Sequence, residues 1–217
     1  MCASYGLETT PDELDEHFAF DERGRNAAVV EWLAANATEV VKPTGPRALN
    51  LNPLVRERVI GGESVRQLDL AWWQMWIGGQ RPKFSTINAR SENLLKGAWA
   101  GPTMSRRALV PVTHYFEKGR RFDLGGELFS LAAIYTINRT DAAPTPDGWL
   151  PTYAIVTRPA ASHVEEVHDR MPLIIAPELY SDWLAPELAG DRTLVDAALA
   201  ASDGPSQLVQ MHDPDGS

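Results

Sequence analysis

Cys2 is the only cysteine in the sequence, and it stands second in the chain. Methionine aminopeptidases remove an initiator methionine when the next residue is small, so the mature chain is expected to begin at Cys2. A thiol and a free α-amine would then sit on one carbon. Their reference pKa values, about 8.5 and roughly 7.7–8.0, leave each a usable nucleophilic fraction near neutral pH. The preferred electrophile of a 1,2-aminothiol is an aldehyde. The amine forms a Schiff base, the thiolate closes on the imine carbon, and a five-membered thiazolidine results. The plain alternative is that a second-position cysteine is an accident of the start site.

Four polar segments could furnish a pocket for such chemistry. They are Asn50-Leu-Asn-Pro53, Asn88-Ala-Arg90-Ser-Glu92, the strand-terminal Glu117 and His168-Asp-Arg170. Glu117 reads either as a strand-end carboxylate in water or as a carboxyl raised by Tyr115 and Phe116 until it can exchange protons near neutrality. His168 reads either as a structural histidine tied to Asp169 or Arg170, or as a proton carrier. Asn88 could close a loop, and Arg90 could be a surface guanidinium. A guanidinium can also take a phosphate in two parallel hydrogen bonds.

The elements that must position these residues follow from local signals. Thr10-Pro11-Asp12-Glu13 has a capping threonine, a proline at the first helical position and a glutamate three residues on, which predicts a helix to about Phe18. A second helix is expected over Asn26–Asn36, with Val29, Val30 and Leu33 on one face and Trp32 alongside. The segment 42–47 breaks regular structure, and Asn50–Pro53 lies in a loop before Leu54. Strand patterns run through Ser64–Trp72, Ala108–Glu117, Glu127–Ile137, Trp149–Thr157 and Met171–Ile175. The segment 137–148 is expected to be a loop, helices return at Pro177–Trp183 and Thr193–Ala201, and the polar end from His212 is expected to fray. This pattern predicts an α+β fold, a mostly antiparallel, barrel-like β-sheet with short peripheral helices. One domain over residues 1–205 and a polar tail over 206–217 are expected.

Composition narrows the function classes. With 217 residues, 44% hydrophobic content and seven tryptophans, the chain can bury a substantial core. One cysteine excludes an intramolecular disulfide and a cysteine-based zinc site, which suits a reducing cytoplasm. Neither a leader nor an apolar run near 18 residues is visible, so a soluble cytoplasmic monomer without cofactor, metal or membrane partner is expected. A net charge of −9 argues against broad, salt-driven adhesion to nucleic acid. A local basic groove remains compatible with it, since Arg106-Arg107 and Arg120-Arg121 cluster and Arg90 and Arg170 lie within the polar segments.

Taken in order, these residues resemble the SRAP domain, also called SOS response-associated peptidase. That family's chains begin Met-Cys-Gly-Arg and carry Asn-x-x-Pro, a tryptophan-bearing segment, Asn-Ala-Arg-x-Glu, a strand ending Gly-Phe-Tyr-Glu-Trp, and His-x-Arg-x-Pro. Here the counterparts are Met1-Cys2, Asn50–Pro53, Trp72-Trp73, Asn88–Glu92, Tyr115-Phe-Glu117 and His168–Pro172, covering residue 1 to about 185. The resemblance implies covalent capture of ring-opened abasic sites in single-stranded DNA, with lyase and autopeptidase activity. It implies that Cys2 supplies both nucleophiles, Asn88 orients the terminal residue, Glu117 moves protons during Schiff-base formation and β-elimination, and His168 assists sugar opening and reversal. It further implies that Arg90 and Arg170 hold phosphates, Asn50 and Pro53 line the DNA channel, Trp72 or Trp73 stacks on a base, and Thr157 lies near the lesion. The chain departs from the pattern at Ala3-Ser4, where Gly-Arg is usual, and at His114 and Lys118, where glycine and tryptophan flank the glutamate. The family's late Asn-Asp-Gly segment has no counterpart after residue 200.

The rival readings are a non-catalytic DNA-binding module on the same fold and an N-terminal-nucleophile cysteine amidohydrolase acting on small amides or peptides. Reversible binding that survives Cys2→Ala would mark the first. Amide hydrolysis without action on abasic DNA would mark the second.

Overall fold

The computed structural model describes residues 2–45, 48–141, 143, 145 and 147–213. Met1, parts of the expected breaks at 42–47 and 137–148, and the last four residues of the expected frayed end lie outside the described residues. In chain order the elements are β1 (Ser4–Gly6), α1 (Pro11–Phe18), α2 (Ala27–Asn36), β2 (Val40–Val41), β3 (Leu51–Ile60), β4 (Glu63–Trp73) and β5 (Asn88–Arg90). Then follow α3 (Gly97–Ser105), β6 (Arg107–Val112), β7 (His114–Glu117), β8 (Arg120–Asp123), β9 (Phe129–Arg139) and β10 (Trp149–Pro159). The chain closes with β11 (Arg170–Pro172), β12 (Ile174–Ile175), α4 (Tyr180–Leu184), α5 (Arg192–Ala201), α6 (Asp203–Leu208) and β13 (Gln210–His212). No helix among the described residues is long and apolar enough to cross a membrane.

Two sheets result. In the larger one, β10, β4, β3, β6 and β9 are neighbours in that order, and β9 pairs back to β10, so five strands close into a barrel. Only the β10–β4 seam of this ring is parallel, with Thr152 opposite Trp72 and Tyr153 opposite Trp73. Closure leaves no open edge within the ring. The strands β5, β11 and β12 attach to its rim. The second sheet, in order β13-β8-β7-β1-β2, is antiparallel throughout and carries the beginning of the chain.

Local chemistry explains the best-defined elements. The Thr10 hydroxyl accepts from the Glu13 backbone N–H at 3.2 Å while the Thr10 N–H donates to the Glu13 carboxylate at 2.8 Å, closing the capping box of α1. Asn26 caps α2 through the Ala28 N–H at 3.0 Å. On that helix Val29, Trp32 and Leu33 are buried, whereas Val30, expected on the buried face, is about half exposed. Gly61-Gly62 turns β3 into β4 with both φ angles positive, as a two-residue hairpin turn requires.

The structure revises the sequence expectations in several places. Leu51, Asn52 and Pro53 open strand β3 rather than sitting in a loop, because the long register with β4 extends through them to Leu51 opposite Trp72. The expected single strand over 108–117 is two, β6 in the barrel and β7 in the second sheet. Between them the Thr113 N–H donates to the Gly6 carbonyl at 2.9 Å. The expected strand at 171–175 likewise divides, β11 joining β10 and β12 joining β9. Residues 203–212, mostly assigned to a polar tail, form α6 and β13, and β13 pairs with β8.

One packing feature fixes the approach of β1 to β7. Gly6 lies opposite His114, and a Cβ there would fall 2.1 Å from the imidazole Cε1. The ring occupies the room that the missing side chain leaves, and it is itself buried beside Thr113 and edge-on to Phe116. The histidine that departs from the family's glycine is thus accommodated by a glycine across the strand pair. Gly6→Ala should therefore cost about 2 kcal/mol in urea unfolding through overpacking, and Gly6→Ala/His114→Ala should recover at least half of that loss.

Candidate active site

The chain terminus is held from three sides. Strand β1 runs between β7 and β2, with Ser4 opposite Phe116 and Tyr5 opposite Tyr115. Cys2, two residues before the strand begins, therefore emerges beside the end of β7 that carries Glu117. It is only 1% exposed, and its thiol lies 3.7 Å from the Ser4 carbonyl. From the other side Asn88, on β5, donates its amide N–H to the Cys2 carbonyl at 2.8 Å. The strand β5 is itself fixed by parallel pairing with β10, Asn88 lying opposite Ile155. The second amide atom, Asn88 Oδ1, is buried without a partner among the described residues.

Burial dominates the electrostatics. It pushes the Cys2 thiol from an ordinary 9.0 up to about 12, and the negative charge of Glu117 pushes the same way. An aromatic, hydrogen-bonded floor carries the terminus. The Tyr5 and Tyr153 hydroxyls meet at 2.8 Å, Asn52 Nδ2 approaches Tyr153 Oη at 3.5 Å, and the Trp73 ring lies 5.1 Å from Tyr5 and 6.2 Å from Tyr153. Burial raises both tyrosines well above their usual range, so they stay protonated donors.

Glu117 and His168 line one cleft, together with Tyr115, Phe122, Val164 and Arg170. The imidazole Nδ1 accepts the Arg170 backbone N–H at 3.0 Å, and Asp169 Oδ1 lies 2.7 Å from the same nitrogen. One ring state cannot serve both. With its proton on Nε2 the ring accepts from Arg170, and with a proton on Nδ1 it donates to Asp169, whose side chain is 75% exposed.

The two most specific sequence motifs are physically joined. Arg170 is buried, and its guanidinium grips both Glu92 carboxylate oxygens while Nη2 donates to the Thr157 carbonyl at 2.6 Å. The Arg170 hydrogen bonds hold the Glu92 carboxyl down at about 2. A guanidinium committed in this way is a clamp between β11, β10 and the turn after β5. In this arrangement Arg170, expected to hold a phosphate, has its guanidinium turned to Glu92 and the Thr157 carbonyl.

The remaining expected residues divide by exposure. Arg90 is exposed and shares a strand face with Asn88, two residues away, so it rises over the rim of the site. Trp72 is half-buried, and the Arg81 guanidinium lies 5.4 Å from its ring centroid. Trp73 is fully buried, with its indole N–H given to the Ile87 carbonyl at 2.9 Å, so it belongs to the floor and cannot offer a face to a base. Pro53 is buried within β3 and Thr157 is buried beneath Arg170, whereas Asn50 is half-buried and its carbonyl accepts the Trp73 N–H at 2.9 Å. Sequence reading missed Asn52, Tyr5, Tyr153 and Arg81. For Asn52 the available signal was its place beside Asn50 and Pro53; for Arg81 it was a basic residue following Gly78-Gly79. No group of three or more His, Cys, Asp or Glu among the described residues is placed to hold a metal ion.

The family model described as SOS response associated peptidase (SRAP) matches residues 1–212. The chain is 31% identical over 201 residues to the abasic site processing protein YoqW of Bacillus subtilis (strain 168), covering 86% of this chain and 81% of that one. It is 29% identical over 205 residues to YoaM of the same organism, also called an abasic site processing protein, covering 86% and 80%. Crystal structures of proteins from Bacteroides thetaiotaomicron (TM-score 0.66, 21% identity, 91% and 86% of the chains) and Bordetella bronchiseptica (TM-score 0.67, 19% identity, 97% and 98%) share the fold.

A thiol raised to about 12 has two measurable consequences. At pH 8 the native protein should react with iodoacetamide at least about a hundredfold more slowly than the urea-unfolded chain, read by intact mass. The unfolded thiol also ionises from near pH 9 while the folded one stays neutral up to about 12. Stability attributable to Cys2 should therefore be present below pH 9 and lost as pH rises through that window, a loss that Cys2→Ser, with no thiol to ionise, should not show.

Proposed function

Because the chain belongs to the SOS response associated peptidase family, we propose that it processes abasic sites in single-stranded DNA, with Cys2 as terminal residue closing a thiazolidine on the ring-opened sugar. The observation that carries this reading is the Asn88 amide on the Cys2 carbonyl at 2.8 Å, which holds a chain terminus still beside Glu117. The names of the Bacillus relatives support the substrate.

The raised thiol favours one order of steps. A thiol that burial and a carboxylate keep neutral cannot lead, so the α-amine adds first to C1 of the open sugar. Asn88 Oδ1, buried and unpartnered, is an acceptor available to an N–H of that amine. Loss of water then leaves an iminium. Its positive charge favours the thiolate beside it, Glu117 takes the thiol proton, and Sγ closes the ring on C1. If Glu117 instead removes a proton from C2 of the iminium, β-elimination expels the 3′ phosphate and the strand is cut. His168, lining the same cleft as Glu117, carries protons for sugar opening and for reversal of the link.

For the nucleic acid, exposed Arg90 takes a flanking phosphate at the rim, and Trp72 beneath Arg81 offers the stacking surface beside half-buried Asn50. Arg170 contributes through Glu92 and Thr157 rather than through DNA.

The test is a denaturing gel of the mature protein mixed with a single-stranded oligonucleotide bearing one abasic site. A shifted band that vanishes in Cys2→Ala is expected, and its absence with intact Cys2 sinks the proposal. Glu117→Gln should slow crosslinking on the order of a hundredfold without loss of fold. Retention of the oligonucleotide by Cys2→Ala with no covalent band from the native protein would identify a binding module instead.

A further inference from the structure

One buried polar atom in the proposed reaction space has no task in the steps above. Tyr115 precedes Glu117 by two residues on β7, so both side chains leave the strand on the same face. With Glu117 and His168 it lines one cleft, and it lies within electrostatic reach of Cys2. Its ring is stacked on Phe122, centroids 5.0 Å apart and planes within 9°, which fixes where the hydroxyl points. The residue is 2% exposed, and Tyr115 Oη meets no donor or acceptor among the described residues. The other two buried hydroxyls near Cys2, those of Tyr5 and Tyr153, satisfy each other at 2.8 Å.

An unpaired buried hydroxyl is a standing cost that phenylalanine would remove without changing the shape of the ring. A donor kept unpaired beside the nucleophile fits a partner that arrives with substrate.

We infer that Tyr115 is a catalytic residue whose Oη–H donates a hydrogen bond to the C1 oxygen of the ring-opened sugar as the Cys2 amine adds. The inference rests on the reading of Cys2 given above. As nitrogen bonds to C1, the carbonyl π pair moves onto oxygen, where the tyrosine donor meets the growing charge. That oxygen takes one proton from the amine to give the carbinolamine. It takes a second from Glu117, which carries the proton it removed in freeing the Cys2 amine from its ammonium form, and leaves as water. The Glu117 carboxylate then recovers a proton from the Cys2 thiol, whose sulfur closes on the iminium carbon. The balance is one aldehyde plus one aminothiol giving one thiazolidine and one water, and Tyr115 keeps its own proton throughout. Burial, reinforced by Cys2 and then Glu117, holds that hydroxyl protonated far above neutral pH.

The experiment compares native protein and Tyr115→Phe, both beginning at Cys2. Three quantities are read: Tm, affinity for an oligonucleotide carrying the tetrahydrofuran analogue of an abasic site, and single-turnover crosslinking rate on a true abasic site. The analogue has no C1 oxygen to receive the bond. Expected are an equal or higher Tm, unchanged analogue affinity and crosslinking slowed about a hundredfold. Equal crosslinking rates overturn the inference and leave the reading of Cys2 standing. A lower Tm alongside a lower rate gives the hydroxyl a packing role and overturns it too. Absence of crosslinking in the native protein removes the reading of Cys2 itself.

Discussion

A chain end is the least ordered part of most domains, and this site asks one to stay still. Fixing a residue's backbone costs roughly 1–2 kcal/mol in lost entropy, and the Asn88 amide on the Cys2 carbonyl is where that cost is met. Its hold is useful only because everything behind it is rigid. Asn88 stands on a strand tied to β10, and β10 also pairs with β4, β9 and β11. The Tyr5 and Tyr153 hydroxyl pair and the Trp73 ring support the terminus from beneath.

The Arg170 clamp extends the same logic to the acid–base groups. Its guanidinium joins Glu92, four residues beyond Asn88, to the strand that starts two residues after His168. The amide that grips Cys2 and the imidazole of the cleft are thereby linked through a buried guanidinium and a carboxylate that is itself half exposed. Removing Glu92 would leave the buried Arg170 charge without its carboxylate partner. The Thr157 carbonyl, accepting from the same guanidinium, adds β10 to the connection.

Much of this was legible before any coordinates. The capping box at Thr10–Glu13 announced α1 because its determinants are adjacent in sequence, and the alternating apolar residues of β4, β9 and β10 announced strands. Cys2, Asn88, Glu117 and His168 were singled out by residue type, and the fold gathers them around one terminus. What sequence could not give was pairing between distant segments. Pro53 looked like a loop residue until β4 was seen to run antiparallel past it. Trp72 and Trp73 are neighbours of equal chemistry, and only strand alternation within the closed barrel sends one to the rim and the other under the terminus. Arg170 read as a phosphate ligand because nothing in its sequence neighbourhood marks Glu92 as its partner.

The order in which the strands pair also governs when the first residue is accessible. β1 can meet β2 early but lacks its second neighbour until β7 has been made, and Asn88 cannot be fixed before β10 exists, so a growing chain leaves the ribosome with the hold on Cys2 incomplete. At synthesis rates of roughly 5–20 residues per second, Glu117 follows Cys2 by about 6–23 seconds. An aminopeptidase acting on the nascent chain therefore has that interval in which to unmask the amine. On the reading proposed for Cys2, a chain that folds untrimmed would carry a blocked amine into the finished protein.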